Sequence, residues 1–317
     1  MKLVSSAKLR KAQQAIEALR PYEATLSTIL AAATSTGEEG RHQNRAKMLH
    51  PPVFSEGGVS KTGENASATG RVAVVAVASN SSLCGSFNGN VFRRTLEVLS
   101  SVAGELSSAG EVLPCYVDVY PIGRRIADPL RKAGYPAASG SGNPAAAGPE
   151  NAAAIDLNEL AAHPSYEAAA QLAQSLADAY AAGVYTKVVL IYNHFVSSSR
   201  QEVVCETYLP FEVSQSKEVS PSKEGVAYEN GENRRRYILE PSAADITKTL
   251  LPQVMRLKIY AMLLDSAAAE HAARMIAMQT ATDNAQDILD ELTLEYNKGR
   301  QQQITAEILD IVGGSQQ

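Results

Sequence analysis

Apolar and small side chains recur in alternating steps of four and three residues near the C-terminus. From Gln253 to Lys298 the chain contains neither glycine nor proline, and its many Ala, Leu, Met, Glu and Gln residues favour a helix. This spacing predicts a coiled-coil helix of roughly 70 Å, which needs an equally long partner to be stable in water. The stripe comprises Leu250, Val254, Leu257, Ala261, Leu264, Ala268, His271, Met275, Met278, Thr282, Ala285, Leu289, Leu292 and Tyr296.

The opening segment carries a matching stripe. Its positions are Ser5, Leu9, Ala12, Ile16, Leu19, Leu26, Leu30 and Ala33, with Glu23 interrupting the pattern. Two amphipathic helices of this kind bury their stripes most simply by packing against each other. We therefore predict that the two terminal helices form a long antiparallel coiled coil.

Between these helices the hydrophobic period changes to that of an α/β domain. Short apolar runs predict buried strands at Arg71–Ser79, Val112–Tyr120 and Lys187–Phe195, and an alternating run predicts an edge strand at Gln201–Phe211. Helical patterns separate them at Phe87–Leu106, Gly123–Gly134 and Tyr166–Ala182. Strands that alternate with helices indicate a largely parallel sheet. The fold class is therefore α/β, with a Rossmann-like domain inserted between the two halves of a helical rod.

Polar, glycine-rich stretches mark the boundaries of these parts. We predict an N-terminal helix, a polar insertion, an α/β domain, a second polar insertion and a C-terminal helix, at residues 1–36, 37–70, 71–213, 214–240 and 241–317. A further flexible insertion is predicted within the domain, at Ala138–Ala153.

Composition narrows the classes of protein to be considered. The net charge of −5 argues against a nucleic-acid-binding protein, and no apolar run is long enough to cross a bilayer. The three cysteines, Cys84, Cys115 and Cys205, form no CxxC pair, which favours a reduced intracellular protein. We therefore expect a cytoplasmic protein that inserts no segment into the membrane.

Candidate catalytic chemistry is sparse. Cys84 lies in the turn after the first strand, where α/β enzymes often place a nucleophile, and His194 lies near the end of another strand, without an evident partner to orient it. The five histidines show no metal-binding spacing, and no phosphate-binding or dinucleotide motif is present. We therefore expect no catalytic residue, cofactor site or metal site. Two alternatives stay open, a cytoplasmic α/β enzyme with Cys84 as nucleophile and helical oligomerisation arms, and a coiled-coil scaffold.

Four segments, in register, resemble one known family. The run AAAEHAARMIAMQTATDNAQDILDELTLEYNKGRQQQITAEILDIVGG is similar to the C-terminal helix of the γ subunit of F-type ATP synthases. SLCGSFNGN resembles the turn after that family's first strand, VVLIYNHFVSSSRQEV its third-strand segment, and KLVSSAKLRKAQ its N-terminal helix. The family's charged residues before this turn are replaced here by Asn80, Ser81 and Ser82. Relative to the family, about twenty residues of the N-terminal helix are expected to be absent.

The resemblance implies a non-catalytic rotor shaft. Such a shaft stands inside a ring of α and β subunits, contacts the ε subunit and the membrane c-ring at its foot, and couples proton or sodium flow to ATP synthesis on the cytoplasmic face of the bacterial membrane. By resemblance, contacts with β subunits fall to Lys2, Lys8, Arg10, Arg300, Gln301 and Thr305. The family signature on the shaft corresponds to Glu270, Arg274, Met278 and Glu307.

Overall fold

A computed structural model describes residues 1–36, 48–49, 71–107, 117–135, 156–212 and 240–314 of the chain. The elements, in chain order, are α1 (Lys2–Thr36), β1 (Met48–Leu49), β2 (Val72–Val77), α2 (Phe87–Ser107), β3 (Val117–Ile122), α3 (Arg124–Lys132), α4 (Leu157–Ala162), α5 (Tyr166–Ala181), β4 (Lys187–Phe195), β5 (Gln201–Leu209), β6 (Phe211–Glu212) and α6 (Ala243–Gly314). The predicted insertion at 138–153 lies outside the described residues. Most residues of the predicted insertions at 37–70 and 214–240 also lie outside them.

Helices α1 and α6 pack against each other from Lys2 to Leu30 of α1. The ammonium group of Lys2 donates a hydrogen bond to Gln279 Oε1, whereas Leu30, near the other end of α1, shares a core cluster with Val254. The start of α1 therefore lies beside a later part of α6 than the end of α1 does, and the predicted antiparallel pairing is confirmed. The predicted stripe on α1 faces the interface, where its buried members are Ser5, Leu9, Ile16, Leu26, Leu30 and Ala33.

Small side chains on α6 allow the two helices to approach closely. Ala268 and Ala272 are completely buried in a cluster with Leu9 and Ile16 of α1. A larger residue at either alanine would force the helices apart or into strained rotamers. These two alanines are thus part of the core of the rod.

The α/β domain is built on a four-stranded sheet in the order β3-β2-β4-β5. Strands β3, β2 and β4 are parallel, and β5 pairs with β4 in the antiparallel direction. Every residue of β2 is buried, because α2 and α3 cover one face of the sheet and α1, α5 and α6 cover the other. This double coverage explains why β2 is a continuous apolar run, and the predicted α/β domain with a largely parallel sheet is confirmed.

The second predicted strand has different bounds in the structure. It was expected at Val112–Tyr120, whereas β3 continues to Ile122, and residues 108–116 lie outside the described part. Pro121 is tolerated because β3 is an edge strand of the sheet. Gly123 ends the strand at φ 105°, and a Cβ there would lie 2.3 Å from the carbonyl oxygen of Ala78. Only glycine fits this corner.

The predicted edge strand at Gln201–Phe211 is divided in two. β5 ends at Leu209 and β6 begins at Phe211, since Pro210 between them has no N–H to continue the ladder. β6 pairs antiparallel with β1. The stretch predicted as a polar insertion at 37–70 therefore contributes a short strand, which is a correction to the sequence-based expectation.

Helix α4 was not predicted. Its N-cap is Asp156, whose Oδ1 accepts hydrogen bonds from the backbone N–H groups of Asn158 at 2.9 Å and Glu159 at 3.3 Å. An acidic N-cap followed three residues later by glutamate is a recognised start signal. Helix α6 has a comparable start at Ser242, whose Oγ accepts from the N–H of Asp245 at 3.1 Å, in agreement with its predicted beginning.

Candidate interaction surfaces

The upper part of α6, from Thr280 to its end, is exposed to solvent. Every residue from Thr280 to Gly314 is exposed, which corresponds to about 50 Å of helix. The predicted stripe is therefore packed from Leu250 to Met278 and exposed from Thr282 to Tyr296. Large apolar side chains are exposed here at Ile288, Leu289, Leu292, Leu294, Tyr296, Ile304, Ile308, Leu309, Ile311 and Val312.

An exposed apolar surface of this extent marks an interaction site. A shallow groove along this part of the helix is lined by Ala285, Ile288, Leu289, Leu292, Thr293 and Tyr296. Within the described part of the chain, no helix has both the length and the apolar character needed to cross a membrane. Acidic residues flank the exposed stripe at Asp283, Asp287, Asp290, Glu291 and Glu295.

The predicted β-contact residues form two separate groups. Lys2, Lys8 and Arg10 are exposed on the first turns of α1, at the level of Gln279 on α6. Arg300 and Thr305 are also exposed, about 30 Å further along α6. The structure does not bring the two groups together, so they would meet a partner at two different heights on the rod.

Two residues of the predicted signature form a buried ion pair. The guanidinium Nη2 of Arg274 donates to Glu270 Oε1 at 2.7 Å, and each side chain is 12% exposed. Burial raises the pKa of Glu270, while the neighbouring Arg274 opposes that rise. The same Nη2 donates to Ser81 Oγ at 2.6 Å. The other two signature residues differ, because Met278 is half-buried and Glu307 is fully on the surface.

The turn after β2 is tied to the domain by a small polar network. Asn88 Oδ1 accepts hydrogen bonds from the backbone N–H and the hydroxyl of Ser79, both at 3.0 Å. Asn88 Nδ2 donates to the sulfur of Cys84 at 3.1 Å. Ser79 Oγ also lies 2.6 Å from the carbonyl oxygen of Ser81, so its one hydroxyl hydrogen is shared between this oxygen and Asn88 Oδ1. Cys84 is 2% exposed. These contacts hold the turn in one conformation.

At the tip of this turn, Leu83 adopts an unusual conformation. Its φ is 68°, a left-handed value that costs a non-glycine residue about 1–2 kcal/mol, and its side chain is 59% exposed. Strained, exposed residues of this kind are a reason to suspect function. Leu83 was not predicted from the sequence; the nearby Gly85 also has a positive φ, but a glycine alone does not indicate the conformation of the residue two positions before it.

The structure does not support Cys84 and His194 as a catalytic pair. Cys84 is buried in a small apolar cluster with Phe87 and Ala269, against which Phe195 packs, and its sulfur lies within hydrogen-bonding distance of Ser79 and Asn88. His194 does have an orienting partner, contrary to the expectation from sequence, because its Nδ1 contacts the carboxylate of Asp265. That carboxylate also accepts the backbone N–H of Phe195 at 3.1 Å. This pair fastens the end of β4 to α6.

A cavity of about 330 Å³ lies between α1, the sheet and α6, and His194 and Asp265 are among its lining residues. Glu23, the residue that interrupts the predicted stripe, faces it together with Lys258 and Glu206, which are paired at 3.0 Å. Burial raises the pKa of Glu23. The hydrogen bond to Asp265 raises the pKa of His194.

Metal-binding groups are also absent from the described residues, where no three His, Cys, Asp or Glu side chains are placed to hold an ion. Near the turn and the cavity, Arg274 pairs with Glu270, Lys258 with Glu206 and His194 with Asp265. The geometry is therefore that of a rod with exposed apolar and charged surfaces, attached to a globular domain by polar and apolar contacts.

Comparison with known proteins yields one consistent family. A family model described as ATP synthase matches residues 1–316. The ATP synthase gamma chain of Phocaeicola vulgatus is 41% identical over 318 residues, which cover 99% of this chain and 91% of the relative. The ATP synthase gamma chain of Bacteroides fragilis is 40% identical over 320 residues, with coverage of 99% and 91%.

One solved structure also matches over most of its length. It is the central stalk and c-ring of the mitochondrial ATP synthase from Tetrahymena thermophila, with a TM-score of 0.47 and 18% identity. The alignment covers 89% of this chain and 97% of the matched chain.

Proposed function

Because this chain belongs to the family of ATP synthase gamma chains, a non-catalytic subunit of that enzyme, we propose that it is the rotor shaft of a central stalk. In this role it transmits torque between a membrane c-ring and the catalytic β subunits. Ion flow, of protons or sodium, turns the c-ring and the shaft together. The shaft then drives the β subunits through successive conformations, and ATP hydrolysis drives the reverse rotation.

The observation that supports this proposal most directly is the exposed upper part of α6. A helix that extends about 50 Å beyond its own domain with apolar residues on its surface is unstable in water unless partners cover it. A ring of α and β subunits would enclose such a helix. The paired lower part, where α1 and α6 share a continuous core, resists bending and twisting better than one helix.

Two groups of polar residues would contact the β subunits. Arg300, Gln301 and Thr305 lie on the exposed upper helix, and the positive charges of Lys8 and Arg10 lie on the lower rod. Exposed ion pairs contribute less than about 1 kcal/mol each. These contacts would therefore guide rotation and leave the shaft free to move from one β subunit to the next.

The turn at Leu83 would be a third contact with the surrounding ring. It stands against α6 beside Ala277, at the junction between the α/β domain and the rod. Its exposed apolar side chain fits a partner that carries an apolar pocket at that height. The α/β domain itself would form the foot of the stalk, against the ε subunit and the c-ring, at the cytoplasmic face of the bacterial membrane.

Reconstitution tests the proposal. This chain is mixed with the α and β subunits of the same organism, and the ATPase activity of the isolated complex is measured. We expect a complex that contains one copy of this chain and is more active than α and β alone. A variant with Leu289→Asp and Leu292→Asp should not assemble, whereas Asp287→Asn on the same exposed helix should behave as wild type. If α and β assemble and are equally active without this chain, the proposed function is wrong.

A further inference from the structure

One arginine joins the rod to the turn at Leu83. Arg274 Nη2 donates to Ser81 Oγ at 2.6 Å and to Glu270 Oε1 at 2.7 Å. Ser81 lies in the turn and Glu270 lies one helical turn before Arg274 on α6. The family signature contains Glu270 and Arg274 but assigns them no role, whereas these contacts connect them to a specific segment of the domain.

The ion pair fixes the direction of the arginine side chain. Both partners are largely buried, so water competes weakly for their charges. A guanidinium is a rigid fork with several donors, and it can serve two acceptors at once. Glu270 therefore holds Arg274 in the rotamer that reaches Ser81.

The turn is also closed from below. Cys84 and Phe87 pack on Ala269 of α6, and a Cβ at Gly85 would be in contact with Ala277. The apolar contacts of Cys84 and Phe87 fix the position of the turn on α6. The hydrogen bond from Arg274 fixes the part of the turn that contains Ser81. Leu83 lies between these two attachments, and its left-handed conformation persists only when the surrounding contacts over-determine it.

We propose that Arg274, held by Glu270, is a positioning residue that keeps Leu83 directed outward for contact with the surrounding subunits. This inference rests on the proposed function of the chain as a rotor. Ser81 is the acceptor through which Arg274 acts, and it stands where the family has charged residues. The contact would pass force between the foot domain and the ring at the base of the rod.

A double-mutant cycle separates positioning from general stabilisation. Four complexes with α and β subunits are compared by ATPase activity: wild type, Arg274→Gln, Leu83→Ala and the double variant. We expect each single substitution to lower activity on the order of fivefold, roughly the loss of one hydrogen bond. The double variant should be no less active than the single variants, because Arg274 acts only through Leu83.

Two further variants sharpen the test. Ser81→Ala should reproduce Arg274→Gln, and Ser81→Asn, which keeps an acceptor oxygen, should restore activity. Arg94→Gln serves as the matched control, since Arg94 forms an exposed ion pair with Glu97 at 2.9 Å elsewhere in the domain. Its complex should be as active as wild type.

The two hypotheses fail in different ways. If the wild-type chain does not assemble with α and β, the proposed function is wrong. If the wild type assembles and is active, but Arg274→Gln has no effect or its loss multiplies with that of Leu83→Ala, the positioning role is wrong.

Discussion

Replacing Asp265 should loosen the attachment of the α/β domain to the rod. This carboxylate is 9% exposed, and it accepts the N–H of Phe195 at 3.1 Å as well as a hydrogen bond from His194. A hydrogen bond to a charged group contributes about 1.5–3 kcal/mol. The His194 side chain is 40% exposed, so water can replace part of its hydrogen bond to Asp265. That bond therefore contributes less to stability than the buried one from Phe195.

From these contacts we expect Asp265→Ala to lower the free energy of unfolding by about 3 kcal/mol. Asp265→Asn keeps one acceptor oxygen for Phe195 but loses the charge, and it should cost about half as much. Urea unfolding, followed by circular dichroism and tyrosine fluorescence, measures both values as shifts in the midpoint at constant slope.

The matched control is Asp283→Asn. Asp283 accepts a hydrogen bond from Gln279 Nε2 at 2.6 Å on the exposed face of the same helix, and its loss should change stability by less than about 0.5 kcal/mol. If Asp265→Ala is no more destabilising than Asp283→Asn, the attachment does not depend on this carboxylate and the reasoning is refuted.

Three other predictions follow from burial and backbone geometry. Burial raises the pKa of Glu23, so the folded state disfavours its charged form. Glu23→Gln should therefore stabilise the protein at neutral pH, and the gain should vanish in unfolding experiments below the ordinary glutamate pKa of about 4.5. Leu30 is 1% exposed, and Leu30→Ala should lower the free energy of unfolding by about 2–5 kcal/mol. Ile288→Ala on the exposed helix should change the free energy of unfolding of the isolated chain by less than about 0.5 kcal/mol. Equal effects of the two substitutions would contradict the packing described. Gly123→Ala should reduce soluble yield and thermal stability severely because of the 2.3 Å approach to a carbonyl, whereas Gly134→Ala, with open space around it, should cost only about 1–2 kcal/mol of backbone strain.

Helical periodicity explains why the rod could be predicted. The buried positions of α1 coincide with the four-three stripe read from the sequence, because the spacing of apolar residues along a helix is a local property. Strand β4 was likewise predicted at its observed bounds, Lys187–Phe195. Its apolar run is buried by helices on both faces of the sheet.

Features that depend on distant residues could not be predicted in the same way. His194 meets a carboxylate 71 positions away in the chain, and Ser81 meets Arg274 across 193 positions. The left-handed conformation of Leu83 follows from the contacts of its neighbours and leaves no pattern in its own segment. Sequence alone therefore pointed to Cys84 in that turn, although Cys84 is buried and the neighbouring Leu83 is exposed.

Direct observation of rotation tests the central claim most sharply. A complex of this chain with α and β subunits is fixed to a surface through β, and a bead is attached to a biotinylated peptide inserted at Ser199, in the exposed turn between β4 and β5. If the chain is a rotor shaft, the bead turns in one direction while ATP is hydrolysed. If ATP is hydrolysed and the bead only fluctuates about a fixed angle, the chain is not the rotor.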